Sequence, residues 1–273
     1  MGNLKNNIMR YLTPCIALLA VCISGCINSC VNQTAQKKVH SGIDAELYKD
    51  TPSWNLVHAM DIGNFELARE EIRNDSSLVD YIEPIYGNSV LFWAALNSNE
   101  KAVELLLTSG AEVNKCSFSG DSPLEMAAFY NPCKSPILKM MLAHQPKNDS
   151  LTSYLKNEAL IEASKNCLSY VKLLVDYKAI PSWVSKRDNV FKTITPLAMS
   201  VVHEKFDIVE YYLFECRVEP SSGNIINNKG DTILMTDILW KSYNAERTFD
   251  QEKTRQQIRK ILDFLEKNGY GDN

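Results

Sequence analysis

Apolar residues along this chain fall into a pattern that repeats: a short apolar segment, a turn, a longer apolar segment, then a polar stretch before the pattern begins again. The clearest unit is 87–114, GNSVLFWAALNSNEKAVELLLTSGAEVN, where small Ala94 and Ala95 mark a first helix and the leucines at 105–107 end a second. The same frame returns in 120–142 (GDSPLEMAA leading to KMML) and in 195–213 (TPLAMSVVHEKFDIVEYYL). It is looser in 54–72 and 157–175, and it begins a last time at 230–240 with its second helix displaced to 256–269. The last apolar positions of the second helices are Ile72, Leu107, Leu142, Val175, Leu213 and Leu265, giving steps of 35, 35, 33, 38 and 52 residues. Such a period predicts stacked helical units, none of which buries its apolar face alone.

Local chemistry agrees with this reading. Ser122-Pro123 and Thr195-Pro196 fit helix starts, with the hydroxyl as cap and proline at the first helical position. Gly110 stands where a left-handed residue ends a helix. The small alanine pairs let paired helices approach closely while the leucines fill the space between units. Gly87, Ser89, Leu91, Ala94, Ala95, the leucine triplet, Gly110, Ala111, Val113 and Asn114 together closely resemble the ankyrin repeat, with Val90 in place of its proline and Phe92 in place of its histidine. The resemblance implies an all-α ankyrin-repeat solenoid of about five to six helix-turn-helix repeats over 49–273, acting by binding and not by catalysis. Two insertions interrupt the stack: 176–194 is expected to lengthen the finger before the fifth repeat, and 241–255 separates the helices of the sixth; loops of that length are uncommon unless functional or disordered.

The N-terminus follows another pattern. Lys5 and Arg10 precede an apolar run at 11–21 (YLTPCIALLAV), and no acidic residue occurs before Asp44. This run is too short for a membrane span and reads as a targeting segment. Ile23-Ser24-Gly25-Cys26 resembles a lipobox, which implies a lipoprotein signal peptide over 1–25 and a lipid on Cys26. Residues 26–48 are polar and are expected to be a lipidated, flexible tether. Several acyl chains on one cysteine would hold the protein to a bilayer, and Ile27 after the cysteine is similar to lipoproteins sorted to the outer membrane, so the expected place is the bacterial cell envelope, facing the periplasm.

Without 1–25 the chain keeps 27 basic and 33 acidic residues, a net charge of −6. Nucleic acid is therefore not an expected partner, since that requires a basic face. The four histidines, His40, His58, His144 and His203, show no metal spacing, and no cofactor is expected. His58 is expected to pack within its helix. Gly120-Asp121-Ser122 is similar to a lipase and esterase signature, but Ser122 occupies the capping slot of the repeat, and no GxSxG elbow occurs. An esterase using Ser122 remains a remote alternative. Cys116 and Cys133 are expected at opposite ends of the repeat. Cys133 and Cys167 fall at the same end of adjacent repeats, where a bridge needs α-carbons within about 7 Å; free, mostly buried thiols are expected for the repeat cysteines.

Ankyrin proteins usually hold partners with their finger tips and the exposed positions of the first helices. That mapping makes Tyr86, Asn88, Asn97, Phe118, Asp121, Phe129, Tyr130, Phe191, Lys192, His203 and Trp240 candidate partner-binding residues, with Leu239 beside the last; Trp183 in the first insertion joins them. Aromatic side chains with polar neighbours are what protein interfaces are made from. A lipobox followed by divergent ankyrin repeats resembles the immunity lipoproteins of type VI secretion phospholipase effectors. The resemblance implies a protein partner, a secreted lipase held by occlusion of its cleft. The alternative is an envelope scaffold or adaptor.

Overall fold

A computed structural model describes residues 44–146, 149–187, 191–227, 229–245 and 251–270. The expected signal segment, the expected lipidation site Cys26 and most of the expected tether lie outside these residues.

Six helix pairs follow one another: α1 (Trp54–Asp61) with α2 (Phe65–Asn74), α3 (Val90–Leu96) with α4 (Glu100–Thr108), and α5 (Pro123–Tyr130) with α6 (Ile137–His144). Then come α7 (Ser150–Ala163) with α8 (Leu168–Asp176), α9 (Pro196–Val202) with α10 (Phe206–Glu210), and α11 (Met235–Asn244) with α12 (Gln251–Lys267). Helix α10 continues as a π-turn over Tyr211–Glu215. The expected starts are present: Ser122 and Thr195 cap α5 and α9, each with proline in the first turn, and Asn64, Ser89, Asn99 and Asp149 cap four others. Gly110 adopts φ +93°, the left-handed conformation that ends α4.

The alanine pairs Ala94-Ala95 and Ala127-Ala128 are fully buried, as are Leu106, Leu124, Leu138 and Met141, in a core that runs the length of the stack. The first helices pack in series, α3 on α5 and α5 on α7. Along the turn edge, an asparagine of one repeat donates to a carbonyl of the repeat before it. Asn99 Nδ2 reaches Met60 O at 3.2 Å, Asn131 Nδ2 reaches Ala95 O at 2.9 Å, and Asn166 Nδ2 reaches Phe129 O at 3.1 Å.

Several expectations need correction. The domain begins before residue 49: Ala45–Tyr48 is a 3-10 helix capped by Asp44, and Tyr48 is fully buried with its hydroxyl donating to Asn88 O and Ser89 O. Cys133 and Cys167 are not free thiols but a disulfide, with α-carbons 5.7 Å apart. The stacked turns are close enough because Ser169 Oγ donates to Cys133 O and the Tyr170 hydroxyl donates to Pro132 O and Ser135 O. Cys116 and Cys216 are free and half-buried. His58 is exposed and stacks on Trp54, 4.9 Å between ring centroids.

The described residues of the insertion, 176–187 and 191–194, lie against the stack and not in a projecting finger. Its end forms β1 (Phe191–Thr193), which pairs antiparallel with β2 (Ile225–Asn227), and β2 pairs with β3 (Thr232–Ile233). This small sheet closes a second core in which Phe191, Ile194, Met199 and Ile225 are buried with Ile161. The second insertion is mostly helix, since α11 runs to Asn244 and α12 starts at Gln251.

Candidate functional site: a ridge of apolar finger tips

The segment between α2 and α3 contains Glu83-Pro84-Ile85-Tyr86-Gly87-Asn88. A carboxylate organises it. Glu83 is fully buried, and its oxygens accept from the backbone N–H groups of Ile85 (2.7 Å), Tyr86 (3.0 Å) and Asn88 (2.9 Å). Glu83 N donates to Asn88 O at 3.0 Å, which closes the turn. Three backbone N–H groups converging on one side chain hold this finger in one shape. Its tip puts two neighbouring apolar side chains into solvent, Ile85 at 61% and Tyr86 at 58% exposure.

The next finger, 117–121, is closed by Ser117 N donating to Asp121 O at 2.9 Å. Phe118 N donates to Tyr86 O at 2.9 Å, joining the two tips. Phe118 is, among the described residues, the most exposed large apolar side chain at 72%, and its ring lies over Gly87. A β-carbon on Gly87 would meet Phe118 Cδ1 at 2.4 Å, and Gly87 has φ +76°, so glycine is required there on both counts. The result is a fixed ridge of Ile85, Tyr86 and Phe118.

The other candidates sort by burial. Asn88 is buried beneath the first finger, where its N–H serves Glu83 and its carbonyl serves Tyr48, so it does not face a partner. Phe191 and Leu239 are buried in the cores and are likewise corrected. Trp183 is half-buried, its ring N–H on Glu158 Oε1 at 2.8 Å and its ring edge against Tyr154. Phe129 is half-buried with Lys165 over its ring, and Trp240 is half-buried beside Tyr243 with Arg259 over it. Tyr130, Lys192 and His203 are exposed, and Asn97 is half-buried with Nδ2 donating to Trp93 O. Asp121 is held by Arg187 at 3.0 Å. Of the thirteen residues weighed for contact, Tyr86 and Phe118 come together from separate fingers and the neighbours Phe129 and Tyr130 pack edge to face; Ile85 and Glu83 were missed. The available signal was two adjacent apolar residues within a finger whose other positions are polar or turn-forming.

Ser122 is committed to the fold. Its Oγ accepts from Glu125 N at 3.2 Å while Ser122 N donates to Glu125 Oε2 at 2.9 Å, a reciprocal cap of α5, and Oγ also donates to Oε2 at 2.7 Å. Among the described residues, no group of three His, Cys, Asp or Glu side chains is placed to hold a metal ion.

A search of curated proteins finds no match. A family model described as ankyrin repeats matches residues 91–183 in three copies. That range spans the pairs α3–α4, α5–α6 and α7–α8, and the same helix-turn-helix unit continues on both sides. The domain is an all-α ankyrin-repeat solenoid, a protein–protein interaction module.

Proposed function

We propose that this solenoid is a lipid-tethered immunity protein of the bacterial envelope, which binds a periplasm-acting phospholipase effector and blocks its cleft. The observation that carries the binding surface is the fixed ridge of Ile85, Tyr86 and Phe118, because rigid aromatic side chains in solvent lose little freedom on binding. Trp183, a candidate in the first insertion, has its N–H and one ring edge already engaged, which favours the ridge as the main contact. Two further features support the envelope: the lipobox ending at Cys26, and the Cys133–Cys167 disulfide, a bond that persists in oxidising compartments. A tether at the membrane raises the inhibitor's effective concentration where lipid is attacked.

The test is protection of cells producing, in the periplasm, a lipase-type effector encoded beside this gene. The full chain is expected to protect, and Tyr86→Ala with Phe118→Ala is expected to lose both protection and co-purification of the effector. Truncation of either anchor at such a hot spot costs roughly 1–2 kcal/mol, a five- to thirty-fold loss of affinity. Full protection by a chain lacking the ridge would refute the surface. Failure of the wild-type chain to protect, with envelope-assembly proteins recovered instead, would favour an adaptor.

A further inference from the structure

Tyr48 belongs to the segment that precedes the repeats, yet it is fully buried. Asp44 Oδ1 accepts from Glu46 N at 3.0 Å and starts the 3-10 turn Ala45–Tyr48, which packs on α1. The turn delivers the Tyr48 hydroxyl to two main-chain carbonyls 40 and 41 positions ahead, Asn88 O at 3.0 Å and Ser89 O at 2.9 Å. These lie where the first finger ends and α3 begins, since Ser89 caps that helix. Burial, with the Glu83 charge and Tyr81 close by, holds the hydroxyl above the ordinary tyrosine range, so it stays a donor at neutral pH.

The bonds that shape 83–88 are internal to it: the Glu83 carboxylate takes the N–H groups of Ile85, Tyr86 and Asn88, and Gly87 N donates to Glu83 O at 3.2 Å. Two contacts from outside hold the finger against the stack, Phe118 N on Tyr86 O at the tip and the Tyr48 hydroxyl on Asn88 O at the base. Neither carbonyl needs Tyr48 to be satisfied. Asn88 O also accepts from Glu83 N and Ser89 O from Trp93 N, each at 3.0 Å. What the hydroxyl adds is a link between the N-terminal turn and the finger.

We propose that Tyr48 is a positioning residue of the binding surface: on the reading that Ile85, Tyr86 and Phe118 meet the partner, the turn 44–48 locks the ridge in its binding shape before contact. A ridge fixed in advance loses less freedom on binding, and each side chain that must instead be ordered weakens a complex by about two- to tenfold. A chain that began at residue 49 would lack this tie.

The test is Tyr48→Phe in the full chain, which removes the hydroxyl and keeps the ring. Amide hydrogen exchange is expected to quicken by about two- to tenfold at Tyr86, Gly87 and Asn88, the range set by losing one hydrogen bond, while Leu105, Leu106 and Leu107 in α4 keep their rates. Affinity for the lipase-type effector encoded beside this gene is expected to fall by a similar factor, and by less when the change is added to Tyr86→Ala. Unchanged exchange at 86–88, or exchange that quickens equally in α4, overturns the proposal. Wild-type affinity despite a loosened finger, or an equal loss in both backgrounds, overturns it too. If the wild-type chain does not bind the effector, or Tyr86→Ala/Phe118→Ala binds it as tightly as wild type, the ridge is refuted as the surface, and exchange alone decides whether Tyr48 sets its shape. Should Tyr48→Phe not fold, Asp44→Ala at the exposed cap of the turn is read in the same way.

Discussion

The Cys133–Cys167 bond gives the most direct quantitative test of the stack. It closes a loop over a sequence separation of 34 residues. Loop-closure entropy for that length is about 4 kcal/mol at 25 °C, and measured values for such bonds are typically about 2–4 kcal/mol. Replacing both cysteines by serine, or adding a reductant, returns that freedom to the unfolded chain and leaves the helices untouched. At about 2–4 °C per kcal/mol for a domain of this size, the expected fall in Tm is roughly 5–15 °C. Because repeats couple to their nearest neighbours, the third and fourth pairs are expected to loosen first. The assay is thermal melting followed by circular dichroism with and without reductant, alongside peptide mapping of the oxidised protein. Superimposable melts, or a map in which the Cys133 and Cys167 peptides are never joined, would refute the reasoning.

Three other outcomes are expected. Gly87→Ala places a methyl group against the Phe118 ring at a left-handed position; it is expected to destabilise by about 1 kcal/mol or more in urea melts and to displace Phe118, read as a change in its ring resonances. Ser122→Ala removes the cap of α5 and leaves Glu125 with one donor fewer; a loss of about 1–2 kcal/mol is expected, and any ester hydrolysis by the protein should survive the change. Burial holds the Glu125 carboxyl above the usual carboxylate range, against the opposing pull of Ser122 and Arg187. Its native form therefore binds a proton more tightly than the unfolded chain does, so its contribution is full at low pH and is lost as pH rises through the native value. Glu125→Gln is expected to gain stability relative to wild type between pH 4 and pH 7, measured by urea melts, and a gap that narrows as pH rises would count against this account.

Much of the stack was legible because helix pairing leaves a periodic trace in sequence. Ala94-Ala95, Ser122-Pro123 and Gly110 each do a local job that the chain spells out locally. What could not be read rests on residues far apart. Arg187 meets Glu125 and Asp121 across 62 and 66 positions, and nothing near Arg187 in sequence announces a carboxylate. The insertion looked like a free finger because its apolar residues, Phe191 and Ile194, only find a core once β2 lies beside them. The disulfide likewise depends on how closely two turns stack. In the ridge, Tyr86 and Phe118 were visible as aromatics in fingers, whereas Glu83 was not, since a glutamate in a loop ordinarily faces water and here it is buried under three backbone N–H groups.

The asparagine contacts along the turn edge bear on chemical ageing. At Asn99, Asn131 and Asn166 the amide nitrogen is the atom that reaches the preceding repeat. Deamidation would replace it with a carboxylate oxygen set against a carbonyl, turning each donor into a repulsive pair. The ring closure behind that reaction needs the backbone nitrogen of the following residue. After Asn131 that residue is Pro132, whose nitrogen carries no proton, and after Asn166 it is Cys167, whose N–H is held by Ala163 O at 2.9 Å. Of these three joints, the two on either side of the third repeat are therefore the ones the chain protects against slow chemical wear.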